Sequence, residues 1–133
     1  MRHSQSLLSK QYRLTKDYDF RGVKKRGRRV VGPFCVLSWA PNKLNVSRFG
    51  FIASSKLAKA AKRHRAVRLL RESIRLSLPK IKSGFDIVII ARNGILGRSF
   101  DEADREMKRL LAKANLLNSN LKTQMAKREK RKE

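Results

Sequence analysis

The segment from Lys56 to Arg75 constrains the fold most, because it is both strongly basic and amphipathic. Eight of its side chains are lysine or arginine, and only Glu72 is acidic. Apolar residues within and just after it recur at spacings of three and four, as on one face of a helix. They are Val67, Leu70, Ile74 and Leu78. We therefore predict a helix that packs on a core and presents its charge to a polyanion.

Arg63 falls on the same line as these apolar residues, four positions before Val67. Burying an unpaired guanidinium costs several kcal/mol, so the first turn is expected to overhang the core or line an open cleft. On the opposite face, Glu72 can form surface ion pairs with Arg68 or Arg75. A merely solvated basic face is therefore the alternative interpretation of this helix.

The charge of the whole chain favours a nucleic-acid partner. Its 133 residues predict one domain, and 34 Lys+Arg against 10 Asp+Glu give a formal net charge of +24 and a pI near 11.5. Such a charge repels itself unless an anionic partner binds. RNA is the favoured partner, and an anionic membrane surface is the rival.

Nothing in the sequence predicts membrane insertion or secretion. The longest largely apolar run, residues 30–41, is interrupted by Gly32 and Pro33 and is too short to span a bilayer. Residues 1–6 lack the apolar core of a secretory signal, so a cytoplasmic location is expected. Cys35 is the only cysteine, which excludes an internal disulfide and predicts a small buried hydrophobe.

The amino-terminal half predicts an arm, a helix and two strands. Residues 1–14 are interpreted as an extended arm, followed by a helix over 16–25 that Thr15 caps and Gly27 ends. Strand-like runs at 29–40 and 46–54 flank a turn at 41–43, which predicts a β-hairpin. Alternation places side chains of the first run on two faces. One face has Phe34, Val36 and Ser38, and the other has Cys35, Leu37 and Trp39.

The carboxyl-terminal half predicts a central strand and a last helix. Residues 85–91 are apolar on both sides, which indicates a central strand and, with the basic helix, a strand–helix–strand crossover. The segment 99–102 is a capping box that opens the last helix. That helix is expected to bury Ala103, Met107, Leu110, Ala114 and Leu117. The domain is placed at residues 15–118, with a disordered basic tail at 119–133.

The sequence offers no catalytic centre. The two histidines lie far apart, the chain has one thiol, and most of its few acids lie at helix starts. We therefore assign no nucleophile, no acid–base pair and no set of residues with metal-ligand spacing. We therefore predict no catalytic residue and no bound metal in this chain. A protein with this balance of residues is expected to bind, while another molecule carries out any reaction.

Several ordered motifs resemble the bacterial ribonuclease P protein component. They are Tyr12-Arg13-Leu14 before Asp19-Phe20, the run from Arg48 to Lys56, the signature-like run from Lys62 to Ser73, and the strand from Asp86 to Arg92. The resemblance spans roughly residues 12–117. It implies a small α+β sandwich, similar to the second domain of ribosomal protein S5, with a mainly antiparallel sheet and a βαβ crossover through the basic helix.

The resemblance also implies a function. Proteins of that family join a catalytic RNA that removes the 5′ leader of precursor tRNA in a reaction that needs Mg2+, bound mainly by the RNA. The expected partners are thus that RNA and precursor tRNA, with no membrane and no protein partner. The positions implied to face the catalytic RNA are Lys59, Lys62, Arg63, His64, Arg65, Arg68 and Arg71. Those implied to line a cleft for the single-stranded leader are Tyr12, Phe20, Phe34, Val36 and Lys56.

At some positions this chain differs from the family pattern. The central asparagine of the signature is His64, and two positions that are commonly aromatic are Lys24 and Ser38. The leader cleft is therefore expected to depend more on charge than on stacking. The alternatives are a ribosomal or general RNA-chaperone protein, a DNA-packaging protein, and a nuclease that acts without RNA.

Overall fold

A four-stranded sheet forms the centre of the protein in the computed structural model, which describes residues 8–118. Its strands are β1 (Arg28–Val31), β2 (Cys35–Pro41), β3 (Arg48–Ile52) and β4 (Phe85–Ala91). The spatial order is β1-β2-β4-β3, with β2 antiparallel to β1 and β4, and with β3 parallel to β4. The predicted central position of β4 is confirmed, because Ile87, Val88 and Ile89 are all buried.

The predicted hairpin of residues 29–40 with 46–54 is wrong. Strand β4 lies between β2 and β3, so these two strands share no hydrogen bonds. The first run is instead broken at Gly32, whose N–H donates to the carbonyl oxygen of Cys35 at 2.9 Å. This turn makes β1 and β2 the true hairpin, and Phe34 lies in the turn rather than in β2.

The predicted crossover is confirmed. Helix α2 (Ala60–Ser77) connects the parallel strands β3 and β4, and a 3-10 turn at Leu78–Lys80 follows it. Pro79 lies in that turn, where its missing N–H prevents the helix from continuing. The crossover places the first turn of α2 near the carboxyl end of β4.

The buried face of α2 is rotated slightly from the predicted one. Leu70 and Ile74 are buried as predicted, whereas Val67 is only half-buried and small residues take its place. These small residues are Ala66, Ser73 and Ser77. Their size lets the last helix approach closely, and the Ser73 hydroxyl donates to Asp104 Oδ1 at 2.7 Å.

Helix α3 (Phe100–Lys113) follows its prediction closely. The Ser99 hydroxyl accepts from the Glu102 N–H at 3.2 Å, and Glu102 Oε1 accepts from the Ser99 N–H at 3.1 Å. This confirms the capping box. All five apolar residues predicted to be buried are buried, although Ala114 and Leu117 lie beyond the last helical residue. Together α2 and α3 cover one face of the sheet over the larger part of the core.

Helix α1 (Asp17–Arg26) packs on the other face of the sheet, where Val23 is buried against Val88. The predicted Thr15 cap is wrong: Lys16 occupies the N-cap position, and no side chain caps the helix. Gly27 ends the helix as predicted. A Cβ there would lie 2.4 Å from the Val23 carbonyl oxygen, so a larger residue would collide with the backbone.

Strands β3 and β4 are joined at their amino ends by a buried carboxylate. Asp86, 6% exposed, accepts from Arg48 Nε at 2.9 Å, from Arg48 Nη2 and from Asn42 Nδ2 at 2.9 Å. The hydrogen bond to Asp86 raises the pKa of Arg48 above its ordinary value. This network satisfies a charge that would otherwise be costly to bury.

The ends of the chain are described only in part. Leu8 is buried in the core, and the Leu14 N–H donates to the Phe49 carbonyl oxygen at 2.9 Å. Residues 1–7 of the predicted arm and the predicted tail at 119–133 lie outside the described residues. Within residues 8–118, no helix combines the length and apolar character needed to cross a bilayer.

Candidate nucleic-acid interface

The first turn of α2 is unusually positive. Lys59 is the N-cap residue, no side chain caps the helix, and the first turn contains no acid. The unpaired backbone N–H groups of a helix start carry partial positive charge, which the nearby Lys62 and Arg63 reinforce. This arrangement disfavours the helix itself and favours an anion beside it.

Arg63 and Arg65 are held by backbone carbonyl groups. Arg63 Nη1 donates to the Ala58 carbonyl oxygen at 2.7 Å, and Arg65 Nη2 donates to the Arg98 carbonyl oxygen at 3.0 Å. Within residues 8–118, neither guanidinium forms an ion pair with a carboxylate. Both side chains are therefore positioned while their positive charge stays uncompensated. We call the surface of Lys59, Lys62, Arg63, His64, Arg65 and Arg68 the basic helix face.

Arg71 contacts an aromatic ring. It is half-buried, and its guanidinium carbon lies 5.4 Å from the centroid of the Phe51 ring. Burial, followed by the repulsion from Arg13, lowers the pKa of Arg71. Stacking on Phe51 fixes Arg71 beside Arg13 and extends positive charge from the helix toward the amino-terminal segment.

The loop before α3 adds to the basic helix face. Arg98 lies over the Phe34 ring at 5.1 Å, and its Nη1 pairs with Glu102 at 3.2 Å. A depression of about 210 Å³ separates this loop from α2. Its lining is Lys62, Arg65, Ala66, Ile95, Leu96 and Gly97. The sequence analysis missed this contribution, because the loop is 33 residues from Arg65 in the chain.

A second surface, the α1 cleft, lies between helix α1 and the sheet and has a volume of about 310 Å³. It combines apolar side chains at its floor with cations at its rim. The apolar and small residues are Phe20, Val23, Gly27, Ser38, Ile52, Val88 and Ile90, and the cations are Arg21, Lys24 and Arg29. The cleft thus offers an apolar surface for bases beside charges for phosphates.

Only part of the predicted leader-binding set meets at the α1 cleft. Phe20 lines it, and Val36 is buried on the same face, opposite Ile90 in the β2–β4 register. Tyr12 instead lines a separate depression beside Leu78, and Phe34 lies at the loop before α3. The prediction that Phe34 shares a strand face with Val36 is wrong, because the break at Gly32 takes Phe34 out of the alternation of side chains in β2.

Lys56 also lies outside the residues that line the α1 cleft. It is exposed in the connection between β3 and α2, where its N–H donates to the Ser54 hydroxyl at 3.1 Å. Lys56 and Phe20 are therefore not brought together in the α1 cleft.

Gly50 on β3 determines how closely Phe20 approaches the sheet. A Cβ at this position would lie 2.3 Å from Phe20 Cε1, well inside van der Waals contact. The glycine therefore lets the Phe20 ring lie directly on the strand. This contact partly buries the aromatic ring, which also lines the α1 cleft.

Neither surface resembles a catalytic centre. Within residues 8–118, no group of three or more His, Cys, Asp or Glu side chains is arranged to hold a metal ion. Cys35 is buried, and burial raises its pKa to about 12, so its thiolate is not available at neutral pH.

Comparison with known proteins identifies the family. The model of the ribonuclease P protein family matches residues 8–115, which is nearly all of the described structure. The chain belongs to the ribonuclease P protein family. It is accordingly a protein subunit of the ribonuclease P ribonucleoprotein, the endoribonuclease that processes the 5′ end of tRNA.

Individual ribonuclease P proteins show how complete the match is. The ribonuclease P protein component of Alkaliphilus oremlandii is 39% identical over 107 residues, covering 80% of this chain and 94% of the relative. The ribonuclease P protein component of Dehalococcoides mccartyi is 43% identical over 105 residues, which cover 79% of this chain and 86% of the relative.

Solved structures agree with this assignment. A Staphylococcus aureus RNase P protein mutant with defective mRNA degradation activity matches with a TM-score of 0.77 and 29% identity, covering 86% of this chain and 97% of that one. The RNase P protein from Thermotoga maritima, solved in complex with 1-(4-fluorophenyl)-2-thiourea, matches with a TM-score of 0.70 and 30% identity. The match covers 74% of this chain and 96% of that one. The similarity therefore includes the fold as well as the sequence.

Proposed function

We propose that this ribonuclease P protein binds the catalytic RNA through the basic helix face and the single-stranded leader of precursor tRNA through the α1 cleft. The observation that carries the proposal is the pair Arg63 and Arg65, held by carbonyl oxygens with their charge uncompensated. An arginine held in this way loses little conformational entropy when it meets a phosphate.

The proposed mechanism is electrostatic and positional. Each cation of the basic helix face neutralises an RNA phosphate and releases a condensed counterion. Mg2+ is then bound mainly by the RNA, which carries the active site, and less of it is needed to hold RNA and substrate together. In this proposal the protein contributes no group to the hydrolysis.

The leader is proposed to lie along the α1 cleft. Phe20 and Ile52 provide an apolar surface for unpaired bases, while Lys24 and Arg29 can contact its phosphates. Phosphate contacts and base stacking read no sequence, so the protein would accept leaders of many sequences. Ser38 and Lys24 make this cleft less aromatic and more basic than the family pattern implies.

Reconstitution tests the proposal. The protein is mixed with the cognate catalytic RNA and precursor tRNA at limiting Mg2+, and leader removal is followed over time. We expect cleavage with both subunits, much slower cleavage with RNA alone, and none with protein alone. Cleavage by protein alone would place the chemistry in this chain. Equal cleavage with and without protein would favour a general RNA-binding or ribosomal role.

A further inference from the structure

A cavity of about 370 Å³ lies at the amino end of β4, and its lining shares no residue with the α1 cleft. Phe85 begins β4 at this cavity, whereas Ala91 ends β4 near the loop that contacts the basic helix face. Seven strand residues separate these ends by about 20 Å. We call this site the end cavity. Its main side chains are Arg26, Arg28, Trp39, Lys82, Phe85 and Leu116.

Two aromatic rings form walls of the end cavity. Trp39 and Phe85 are half-buried and pack against the main core, so they keep fixed positions. The adjoining segment is also held, because the Lys82 N–H donates to the Leu116 carbonyl oxygen at 2.8 Å. Fixed aromatic rings that remain partly exposed can stack on a nucleobase.

Cations lie at the rim of the end cavity, and no acidic residue is among those that line it. Within residues 8–118, the side chains of Arg28 and Lys82 form no ion pair. Asp19 and Asp86 line a neighbouring depression that shares Arg26 with the end cavity, and both acids pair with Arg48. The positive charge of the end cavity is thus available to a phosphate group.

We propose that the end cavity binds one unpaired nucleotide of RNA. Its base would stack on Trp39 and Phe85, and its phosphates would contact Arg28 and Lys82. The volume lies at the small end of the range for ligand sites, roughly 300–1,000 Å³, which suits one nucleotide and excludes a folded RNA element. The site is distinct from the basic helix face and the α1 cleft and does not depend on their proposed roles.

Trp39 is the only tryptophan of the chain, so tryptophan fluorescence reports on the surroundings of this one wall of the end cavity. The protein is titrated with a uridine tetranucleotide and, separately, with an abasic tetranucleotide. We expect saturable quenching by the first and little by the second. Arg28→Ala and Lys82→Ala should each weaken the quenching titration by roughly three- to tenfold. Arg105→Ala, which removes an exposed charge elsewhere, should leave it unchanged.

Three results would overturn the proposal. The first is absence of quenching in the wild-type protein, and the second is equal quenching by the abasic chain, which would indicate an anion site without base recognition. The third is equal affinity for Arg28→Ala, Lys82→Ala and Arg105→Ala. The proposed leader site is tested separately, by tRNA binding, so a negative titration here overturns the end-cavity proposal without bearing on the α1 cleft.

Discussion

Arg65 Nη2 donates a hydrogen bond to the carbonyl oxygen of Arg98 at 3.0 Å, joining the first turns of α2 to the loop before α3. The Arg98 side chain lies over Phe34 and pairs with Glu102, so the guanidinium groups of both arginines are held in place. The bond therefore makes one continuous positive surface from two segments that are distant in the chain.

Arg98→Ala should weaken binding to the catalytic RNA, because it removes one cation from this surface. Its carbonyl oxygen remains, so Arg65 keeps its hydrogen bond. We expect the slope of log affinity against log salt to become shallower by about one unit. The slope is obtained by titrating labelled catalytic RNA at several salt concentrations. An unchanged slope, equal to that of Arg105→Ala, would exclude Arg98 from the interface.

Lys24→Ala should weaken binding to precursor tRNA without affecting mature tRNA, since the leader is the part proposed to enter the α1 cleft. Lys24 is exposed at the rim of that cleft. Loss of one single-strand phosphate contact should reduce the salt slope by about 0.7 units. The comparison is made on the reconstituted complex. Equal loss for both tRNAs would mean that Lys24 contacts the tRNA body instead.

Asp86→Ala should destabilise the protein by about 2–3 kcal/mol, because it leaves Arg48 and Asn42 without their shared acceptor. The partial exposure of Arg48 limits the cost, since water can replace some of the lost hydrogen bonds. Glu72→Ala is the matched control: its partner Arg75 lies one turn along the same helix, both side chains are partly exposed, and the pair should contribute less than about 1 kcal/mol. Urea unfolding measures the free energy of unfolding of both variants. A similar loss of stability in the two would contradict the structural account.

Cys35 should react with thiol reagents only when the protein unfolds. Its pKa of about 12 lies above the ordinary value of about 8.5, so burial favours the neutral thiol in the folded state. The contribution of the buried neutral thiol to folding stability is complete at pH values below the ordinary pKa. It is lost as the pH rises from there toward 12. Labelling at about pH 8 with and without urea checks this. Rapid labelling of the folded protein would show that Cys35 is accessible.

The last helix and the central strand could be predicted from the sequence because their signals are local. The Ser99–Glu102 capping box and the apolar spacing that follows it define α3 without reference to the rest of the chain. Residues 85–91 are apolar on both faces, so other elements must pack against both faces of this strand. These patterns do not depend on which elements become neighbours.

Strand pairing could not be predicted in this way. The turn at residues 41–43 suggested that β2 and β3 pair, but β4, distant in sequence, is inserted between them. Phe34 was misplaced for a related reason, because a short turn at Gly32 interrupts the alternation of side chains. Pairing is determined by packing across the whole sheet, and local residues specify it only weakly.

The basic helix face could be predicted from the sequence, but its extension through Arg98 could not. The charge and spacing of residues 56–75 identify the helix, and Arg63 on the apolar line indicates an overhanging first turn. The contribution of Arg98 depends on a tertiary contact with Arg65 that leaves no local signal. The end cavity likewise combines Arg28, Trp39 and Lys82 only after the sheet has formed.

The central claim is that the uncompensated charges of Arg63 and Arg65 bind the catalytic RNA. The most direct test measures the salt dependence of that binding for the wild type, for Arg63→Ala with Arg65→Ala, and for Arg63→Lys with Arg65→Lys. The account predicts a slope shallower by about two units for the alanine variant and near wild type for the lysine variant. An alanine variant with unchanged slope and affinity would contradict it.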